Sequence, residues 1–300
     1  MRNPVLAILD LWRRRLWQPG PGLARFEGLE PAVVVTGASE GIGLELARCF
    51  VAEGRTVLLV ARGRARLEAA ARNLAIEHKG RVIALAADVT TADALQAVDA
   101  ALARERCYCD VLVNNAGIGL SGSFAGNDPA VVAGLLDLNV RALTLLCRHM
   151  LPGMLVRGRG GILNIASVGS FVPGPYQAVY YASKAYVLSL TEAIAEEVAG
   201  QGVRITALAP GPVATAFTGR MGAEASPYMR LVPLLTPGQA ARSGHRAFRW
   251  GQRVAVAGLF NVPLALAIRA IPNRMLLPIV GWLLWPGRGK GSKEERDVRR

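Results

Sequence analysis

AVVVTGASEGIG, residues 32–43, joins a β-branched run to a glycine-rich turn and decides how the rest of the chain is interpreted. The run predicts a buried strand, and the amphipathic pattern after the turn predicts a helix through about Glu53. Gly37, Gly41 and Gly43 separate the two elements, and glycine permits φ > 0 and a close backbone approach to a pyrophosphate at a helix N-terminus. Their spacing is G-x-x-x-G-x-G rather than the common G-x-G-x-x-G, so the turn alone leaves a tight turn without a ligand open.

Strand and helix signals alternate along most of the remaining chain. Near-continuous apolar strands separated by helices are typical of a parallel sheet covered on both faces. The sequence therefore predicts an α/β, doubly wound Rossmann fold, which binds ligands at the carboxyl ends of its strands. Residues 212–240, rich in Pro, Gly and Met, predict a mobile insertion. The predicted strands are 32–37, 56–61, 81–88, 110–117, 161–167, 203–211 and 253–259, and the predicted helices end near 53 and 79 or cover about 91–106, 130–157 and 178–200.

The composition favours a reduced, cytoplasmic globular protein. Hydrophobic residues make up 52% of the 300 residues and charged residues 19%, which suits a large buried core and argues against wholesale disorder. A disulfide framework or a metal site is disfavoured because the cysteines are few, scattered and without a C-x-x-C pair. They are Cys49, Cys107, Cys109 and Cys147.

The formal net charge of +13 is concentrated at the two ends of the chain. Residues 1–25 carry +4 and residues 220–300 carry +10, whereas residues 26–219 carry −1. Basic flanks suggest an anionic partner: a membrane surface, an acyl carrier or CoA substrate, or nucleic acid. Nucleic acid ranks last because the chain has no recognisable nucleic-acid motif and its basic tails interleave with long apolar runs.

The chain divides into a basic amphipathic segment (1–30), a Rossmann domain (31–259) and an apolar, basic C-terminal extension (260–300). The start, MRNPVLAILDLWRRRLW, fits a helix at a membrane interface or one packed on the domain, and the pattern leaves both open. Two apolar runs, 254–268 and 275–285, are each shorter than the roughly 20 residues needed to span a bilayer. Docking onto a membrane or onto the protein itself is therefore expected instead.

The second predicted strand ends where an adenosine ribose is expected, and its next residue is basic. A fold selecting NAD usually places a carboxylate there for the 2′-hydroxyl. Here Ala61 is followed by Arg62, a planar bidentate donor suited to a 2′-phosphate, so NADP is favoured over NAD. Arginines that merely coat an exposed helix start would give the same pattern.

Further motifs follow in order: ADV (87–89), NNAG (114–117), LNV (138–140), Ser167, YxxxK from Tyr180 to Lys184, and PGPVAT (210–215). With the glycine turn, this series resembles the short-chain dehydrogenase/reductase family over about residues 31–215. Each motif alone is weak, but six in the family's order and spacing are specific: TGxxxGIG, NNAG, an Asn, a Ser, YxxxK and PG.

The resemblance implies a role for each matching residue. It implies a catalytic tetrad of Asn139, Ser167, Tyr180 and Lys184, with Lys184 and Tyr180 also beside the cofactor. Asn114 is expected to tie strands together instead. The remaining implied cofactor contacts are Gly37, Ser39, Gly41, Ile42, Gly43, Arg62, Asp88, Val89, Asn115, Gly117, Pro210, Gly211, Val213 and Thr215.

Elementary chemistry supports the tetrad. Carbonyl reduction builds negative charge on the substrate oxygen, so a proton donor must stand within hydrogen-bond reach. A free phenol has a pKa near 10, and a neighbouring ammonium lowers it, which is the role expected of Lys184 beside Tyr180. Ser167 can orient the substrate oxygen, and Asn139 can hold a water that links Lys184 to solvent. Helix geometry alone does not separate Tyr180 from Tyr181, but the family register selects Tyr180 and leaves Tyr181 as a packing residue.

These features predict an NADP(H)-dependent oxidoreductase acting on a hydrophobic or acyl carbonyl or alcohol. The alternative is a catalytically silent NADP-binding sensor or scaffold at a membrane surface, against which the intact tetrad argues. The resemblance also implies a homodimer or homotetramer formed through the two long helices, about 130–157 and 178–200. Peripheral membrane association is a separate expectation from the basic, apolar flanks.

Overall fold

The computed structural model describes residues 23–258, 261 and 271–286. Within them, seven parallel strands form one sheet in the order β3-β2-β1-β4-β5-β6-β7. The predicted doubly wound fold is confirmed. The strands are β1 (Glu30–Thr36), β2 (Thr56–Ala61), β3 (Val82–Ala86), β4 (Cys107–Asn114), β5 (Gly160–Ile165), β6 (Val203–Pro210) and β7 (Val254–Ala257).

The helices pack on both faces of the sheet. The α-helices are α1 (Gly41–Ala52), α2 (Arg64–His78), α3 (Ala94–Arg104), α4 (Pro129–Leu136), α5 (Leu143–Arg157), α6 (Ala178–Glu197), α7 (Ala216–Met221), α8 (Pro227–Leu231), α9 (Pro237–Arg249) and α10 (Asn273–Leu284). A π-helical turn (Asp137–Ala142) joins α4 to α5, and short 3₁₀ turns form at Leu23–Phe26, Phe124–Gly126 and Val168–Phe171.

Two apolar layers lie on opposite faces of the sheet. Phe50, Leu67 and Phe248 bring α1, α2 and α9 onto one face. Leu102, Met150, Val187 and their neighbours bring α3, α5 and α6 onto the other. Because both faces are covered, the strand interiors are apolar on both sides, as in the run from Ala32 to Val35, which is fully buried.

The strand order places a crevice at the centre of the sheet. The chain winds outward from β1 to β3 and then returns to the other side of β1 with β4. At such a reversal the loops after the two central strands diverge and leave a cleft beyond their carboxyl ends. Here those loops are the glycine turn after β1 and the NNAG segment after β4.

The predicted helix over 130–157 is interrupted, since the π-helical turn Asp137–Ala142 separates α4 from α5. Pro129–Arg157 is long and apolar enough to cross a membrane by length and composition, a test that a core helix also passes. In this fold it packs on the sheet through buried residues such as Leu146 and Met154.

The segment predicted as an insertion, 212–240, contains α7, α8 and the start of α9. Helix α9 was absent from the sequence prediction although a signal for it exists. Thr236 and Gln239 form a capping box, with Thr236 N donating to Gln239 Oε1 at 2.8 Å and Gln239 N donating to Thr236 Oγ1 at 3.2 Å. The N-terminal helix expected in 1–30 and much of the 260–300 extension lie outside the described residues.

Candidate active site

A cleft of about 1280 Å³ opens at the carboxyl ends of β1, β2, β4, β5 and β6. It exceeds the usual range of small-molecule pockets, roughly 300–1,000 Å³, and has room for a dinucleotide together with a second molecule. The predicted site residues that line it are Gly37, Ser39, Gly41, Ile42, Arg62, Asp88, Val89, Asn115, Gly117, Ser167, Tyr180, Lys184, Pro210, Gly211, Val213 and Thr215.

The glycine turn forms the floor of the cleft beside the start of α1. Gly37 and Gly41 adopt φ of +64° and +62°, values that other residues rarely take. A Cβ on Gly37 would lie 2.8 Å from Ala116 Cα, and one on Gly43 would overlap the Asn115 side chain and the Gly37 carbonyl. The first N–H groups of α1 receive no side-chain cap from Glu40 and lie beside the cleft.

Asn115 fastens this turn to the end of β4. Its Nδ2 donates to the carbonyl oxygens of Thr36 and Gly37, each at 3.0 Å. Thr36 Oγ1 in turn accepts from the backbone N–H groups of Asn115 and Ala116, each at 3.1 Å. These bonds fix the two central loops relative to each other across the cleft.

Asn114 belongs to the sheet rather than to the cleft, as expected. Its Nδ2 donates to Asn164 Oδ1 on β5 at 2.9 Å and to Cys147 Sγ at 3.2 Å. Asn164 Nδ2 continues the chain to Thr191 Oγ1 on α6 at 2.9 Å. This buried polar network connects β4, β5 and the helix that carries Tyr180.

Arg62 and Asp88 lie at the far end of the cleft, where β2 and β3 end. Arg62 has 74% of its side chain exposed, with Nη1 3.8 Å from Asp88 Oδ2. Burial raises the pKa of Asp88, but hydrogen bonds from the Thr90 backbone and hydroxyl, with the charge of Arg62, outweigh it and leave the pKa lowered. An exposed guanidinium and the carboxylate that it pairs with thus mark this end.

Asn139 lies at the π-helical turn and is 1% exposed. Its Oδ1 accepts from Ile118 N at 2.9 Å, and its Nδ2 donates to Ile118 O at 2.8 Å and to Ser183 Oγ at 3.1 Å. Ser183 Oγ then donates to the Tyr180 carbonyl at 2.7 Å. The Asn139 side chain is therefore committed to protein partners and braces the first turn of α6.

Gly117 lies against the side chains of Asn139 and Lys184. A Cβ on Gly117 would lie 3.1 Å from Asn139 Oδ1 and 3.5 Å from Lys184 Nζ. The first distance is tighter than most real Cβ contacts, whereas the second is an ordinary van der Waals contact. A side chain here would therefore crowd Asn139 at the base of the cleft.

Ser167 follows β5 and caps the 3₁₀ turn Val168–Phe171. Its Oγ accepts from Gly169 N at 3.1 Å, and its own N donates to Ser170 Oγ at 3.2 Å. Ser170 Oγ donates to the Lys184 carbonyl at 2.8 Å, which ties this turn to α6. The Ser167 hydroxyl also hydrogen-bonds Tyr180, so the two hydroxyls point to one place in the cleft.

Tyr180 and Lys184 occupy one face of α6 at the cleft. Lys184 is 5% exposed, and its Nζ donates to Ile165 O at 2.8 Å and lies 6.0 Å from the centre of the Tyr180 ring. Burial lowers the pKa of Lys184 to about 8. Burial also raises the pKa of Tyr180, against a smaller lowering by the Ser167 hydrogen bond, so the shift runs opposite to the expected lowering by Lys184.

Tyr181 borders the cleft but packs its ring in an apolar cluster, as expected for the second tyrosine. It is 8% exposed and forms an apolar cluster with Val172, Leu276 and Leu284. Gly174 lies against its ring, where a Cβ would overlap the ring atoms. Burial raises its pKa well above the ordinary value, so its hydroxyl stays protonated.

Sequence interpretation missed the roof of the cleft, which α7 and α8 supply. Phe217 lies 5.8 Å from the Tyr180 ring, and the Met221 side chain covers Gly119. The Tyr228 hydroxyl is buried without a hydrogen-bond partner among the described residues, and burial raises its pKa. The only sequence signal for this roof is the Pro, Gly and Met content of 212–240. The residues that face Tyr180 are set by how the short helices pack over the cleft, which the sequence pattern does not encode.

A second missed feature is an ionic bridge at the rim of the cleft. Glu40 Oε2 accepts from Arg66 Nη1 at 2.9 Å, and Glu40 Oε1 lies 2.5 Å from Arg220 Nη2. The bridge links the glycine turn to α2 and α7. Thr215, before α7, lies over Gly41, where an added Cβ would be 3.4 Å from Thr215 Cγ2.

Val213 and Gly211 of the PGPVAT segment make contacts with residues that follow it in the chain. Val213 bridges to Leu235 in parallel pairing, and Asn261 packs against Gly211, where its Nδ2 donates to Ala257 O at 2.7 Å. The segment therefore leaves β6 along the wall of the cleft beside Tyr180.

The residues present fit a nicotinamide dinucleotide. A side-chain-free cradle lies over the N-terminus of α1, an arginine stands at the end of β2, and a Ser–Tyr–Lys group lies about the middle of the cleft. Helix N-termini favour phosphate, and arginine suits a terminal phosphate group.

Comparisons with known proteins agree with this geometry. The family model for short chain dehydrogenases matches residues 31–226. The 2-(R)-hydroxypropyl-CoM dehydrogenase of Xanthobacter autotrophicus is 39% identical over 194 residues, which cover 62% of this chain and 75% of that protein. Among solved structures, a short-chain dehydrogenase from Sphingobium yanoikuyae in complex with NADPH has a TM-score of 0.72 at 32% identity, covering 83% of this chain and 95% of that one. The bulky-bulky ketone specific alcohol dehydrogenase from Comamonas testosteroni has a TM-score of 0.68 at 26% identity, covering 83% and 94%.

Proposed function

The chain belongs to the short-chain dehydrogenase family, and on that premise we propose that it is an NADP(H)-dependent oxidoreductase for a hydrophobic or acyl substrate. It interconverts a carbonyl and a secondary alcohol, with Tyr180 as proton donor and acceptor. The observation that carries the proposal is the convergence of the Ser167 and Tyr180 hydroxyls above a buried Lys184. Family membership makes the protein an enzyme that acts on alcohol or ketone groups with a nicotinamide cofactor.

The chain's own groups divide the work as follows. A nicotinamide cofactor, when bound, would supply or accept the hydride. The Tyr180 hydroxyl gives its proton to the oxygen that becomes the alcohol, and Ser167 orients that oxygen with a second hydrogen bond. Lys184 supplies positive charge that favours the phenolate while the proton is away. Asn139 acts through Ser183 on the start of α6 and is a positioning residue.

NADP is proposed over NAD because of the end of β2. Arg62 is largely exposed and lies where the 2′ position of the adenosine is expected, whereas a carboxylate selecting NAD is missing from that strand end. The neighbouring Asp88 is paired with Thr90 and Arg62. NADPH in the Sphingobium relative supports the same choice.

An apolar substrate is proposed from the roof of the cleft. Phe217, Met221 and Tyr228 close over Tyr180 with rings and a thioether rather than with charge. Phe217 and Met221 offer no hydrogen-bond partner to a sugar-like substrate, whose hydroxyls would meet only the Tyr228 hydroxyl on this side. The name of the Comamonas relative, specific for ketones with two bulky substituents, supports the same class.

The test is turnover by the purified protein. We expect it to oxidise NADPH with a long-chain or bulky ketone or aldehyde, and we expect Lys184→Ala to abolish that activity while leaving a folded protein. Cofactor binding without turnover across acyl, steroid, retinoid and small carbonyls would favour the silent sensor. Normal turnover by Lys184→Ala would overturn the mechanism.

We also propose a cytoplasmic homodimer or homotetramer. Leu136, Leu145 and Tyr186 are 44%, 44% and 38% exposed on the α4–α5 and α6 helices, and Thr144 Oγ1 lies 2.9 Å from Tyr186 Oη. These apolar side chains form a face that a second copy can cover. Analytical ultracentrifugation checks it: Leu145→Asp should lower the mass, and an unchanged mass would count against this face.

A further inference from the structure

Helix α10 presents two different apolar faces. Its inner face packs on the protein through Leu276 and Leu284, which are 8% and 2% exposed. Its outer face carries Met275, Ile279 and Trp282, which are 62%, 57% and 58% exposed. Spacings of four and three residues place these three side chains on one side of the helix. An exposed apolar face on a helix that already packs through its other face indicates an interaction site.

The exposed surface continues beyond the helix. Trp285 is 44% exposed and, with Trp282, borders a shallow groove of about 390 Å³ whose other side includes Pro175 and Tyr176. Helix α8 packs beside α10 and ends at Leu231, which is 63% exposed. We call the side chains of Met275, Ile279, Trp282 and Trp285 the outer face.

The charge around the outer face favours one partner. Arg274 is exposed at the start of α10, and Arg230 is exposed on α8. Residues 260–300 hold eight Lys/Arg against three Asp/Glu, a formal charge of +5. A second copy docked here would bring these arginines against like charge, whereas anionic lipid attracts them.

We propose that the outer face docks this enzyme on an anionic lipid bilayer. Trp and aliphatic side chains beside arginines are the residue types that enter the interface of a bilayer, with rings at the headgroup level. The helix is 12 residues long and therefore lies on the bilayer surface and does not cross it. The partner is thus the lipid headgroup layer together with the first part of the acyl chains.

The position of α10 connects this surface to the cleft. Its inner residues Leu276 and Leu284 pack against Tyr181, the residue next to Tyr180. The docked bilayer would therefore lie next to the roof of the cleft. On the proposed activity, an apolar carbonyl compound dissolved in the bilayer would enter the cleft from that side; this last step alone rests on the proposed function.

Vesicle flotation tests the docking, with a matched pair of tryptophan variants. The wild-type chain should float with vesicles of phosphatidylcholine and phosphatidylserine, and the bound fraction should fall with added salt and with phosphatidylcholine alone. Trp282→Glu should lower the partition coefficient roughly tenfold or more, since an interfacial ring is replaced by a charge that anionic lipid repels. Trp250→Glu is the control, because Trp250 is 63% exposed at the end of α9, just before the amino end of β7. The cleft lies at the other, carboxyl ends of the parallel strands.

Ile279→Asp gives a second, independent variant. Both α10 variants should keep the circular dichroism spectrum and the turnover of a water-soluble carbonyl, because their side chains point away from the cleft. Wild-type protein that stays at the bottom of the gradient, or α10 variants that float like Trp250→Glu, would overturn the docking. Loss of self-association by the α10 variants, with no change in flotation, would identify a second copy as the occupant and also overturn it. Since flotation needs no turnover, an inactive protein that floats would contradict only the proposed function.

Discussion

The Lys184 ammonium donates a 2.8 Å hydrogen bond to the carbonyl oxygen of Ile165. Ile165 is the last residue of β5, so this bond ties the catalytic face of α6 to the strand that leads into Ser167. One carbonyl does not replace the hydration of a buried ammonium, and burial lowers the pKa of Lys184 to about 8 from 10.5.

Because Lys184 is buried, we expect the free energy of unfolding to depend on pH. A neutral side chain at this position should remove that dependence. At pH values below about 8 both the folded and the unfolded chain carry the Lys184 charge, and the folded state bears the full desolvation cost. Between about 8 and 10.5 only the unfolded state binds the proton, so this group's contribution to the free energy of unfolding rises with pH. Compared with Lys184→Met, wild-type stability should improve by about 2 kcal/mol from about pH 7 to about pH 10.

Urea denaturation of both proteins over this pH range measures the difference. The lost hydrogen bond to Ile165 affects the comparison by a constant amount, so the change with pH isolates the titration of Lys184. A gap that stays constant across the range would show that Lys184 is not desolvated as described.

The two adjacent tyrosines give a second prediction. Tyr180→Phe removes the hydroxyl that hydrogen-bonds Ser167 and should lower turnover by about a thousandfold or more, within the range of general acid catalysis. Tyr181→Phe keeps the ring that packs on Gly174 and Leu276 and should mostly spare turnover. Steady-state kinetics with one carbonyl substrate and NADPH compares them. The reverse order of effects would move the catalytic register by one residue.

Local patterns predicted the parts of this protein that local patterns control. The strand ends, the glycine turn and the Tyr180–Lys184 spacing each depend on a few neighbouring residues, and the structure brings them to one cleft. The π-helical turn at Asn139 and the raised pKa of Tyr180 depend on how distant segments pack, which no local spacing encodes. Helix α9 is different, since its capping box at Thr236–Gln239 is a local sequence signal within a segment rich in Pro, Gly and Met.

The preference for NADPH over NADH, which we assign to Arg62, gives the next prediction. If its guanidinium binds the 2′-phosphate, Arg62→Ala should weaken NADPH binding by roughly 10- to 100-fold, the range of a hydrogen bond to a charged group, and leave NADH binding nearly unchanged. Titration of the bound cofactor's fluorescence measures both dissociation constants. Equal weakening of NADPH and NADH would mean that Arg62 contributes only general positive charge.

Arg64→Ala is the control for that experiment. Arg64 lies two residues further, is 75% exposed and pairs with Glu68 at 3.5 Å on the same helix. Its removal subtracts the same charge from the same rim of the cleft. A selective effect of Arg62→Ala, absent from Arg64→Ala, therefore identifies a directed contact.

Removing the Glu40 carboxylate is expected to tighten cofactor binding although it breaks ion pairs. Its carboxylate stands at the start of α1, beside the cradle proposed for the pyrophosphate, and engages Arg66 and Arg220. Exposed ion pairs contribute about 0–1 kcal/mol each, so Glu40→Gln should change stability little. It should free two arginines and remove a repelling charge, which tightens NADPH binding several-fold at low salt and less at high salt. Glu68→Gln, which frees Arg64 instead, is the matched control. Weaker binding by Glu40→Gln would show that the carboxylate is needed to aim Arg66 and Arg220 at the cleft.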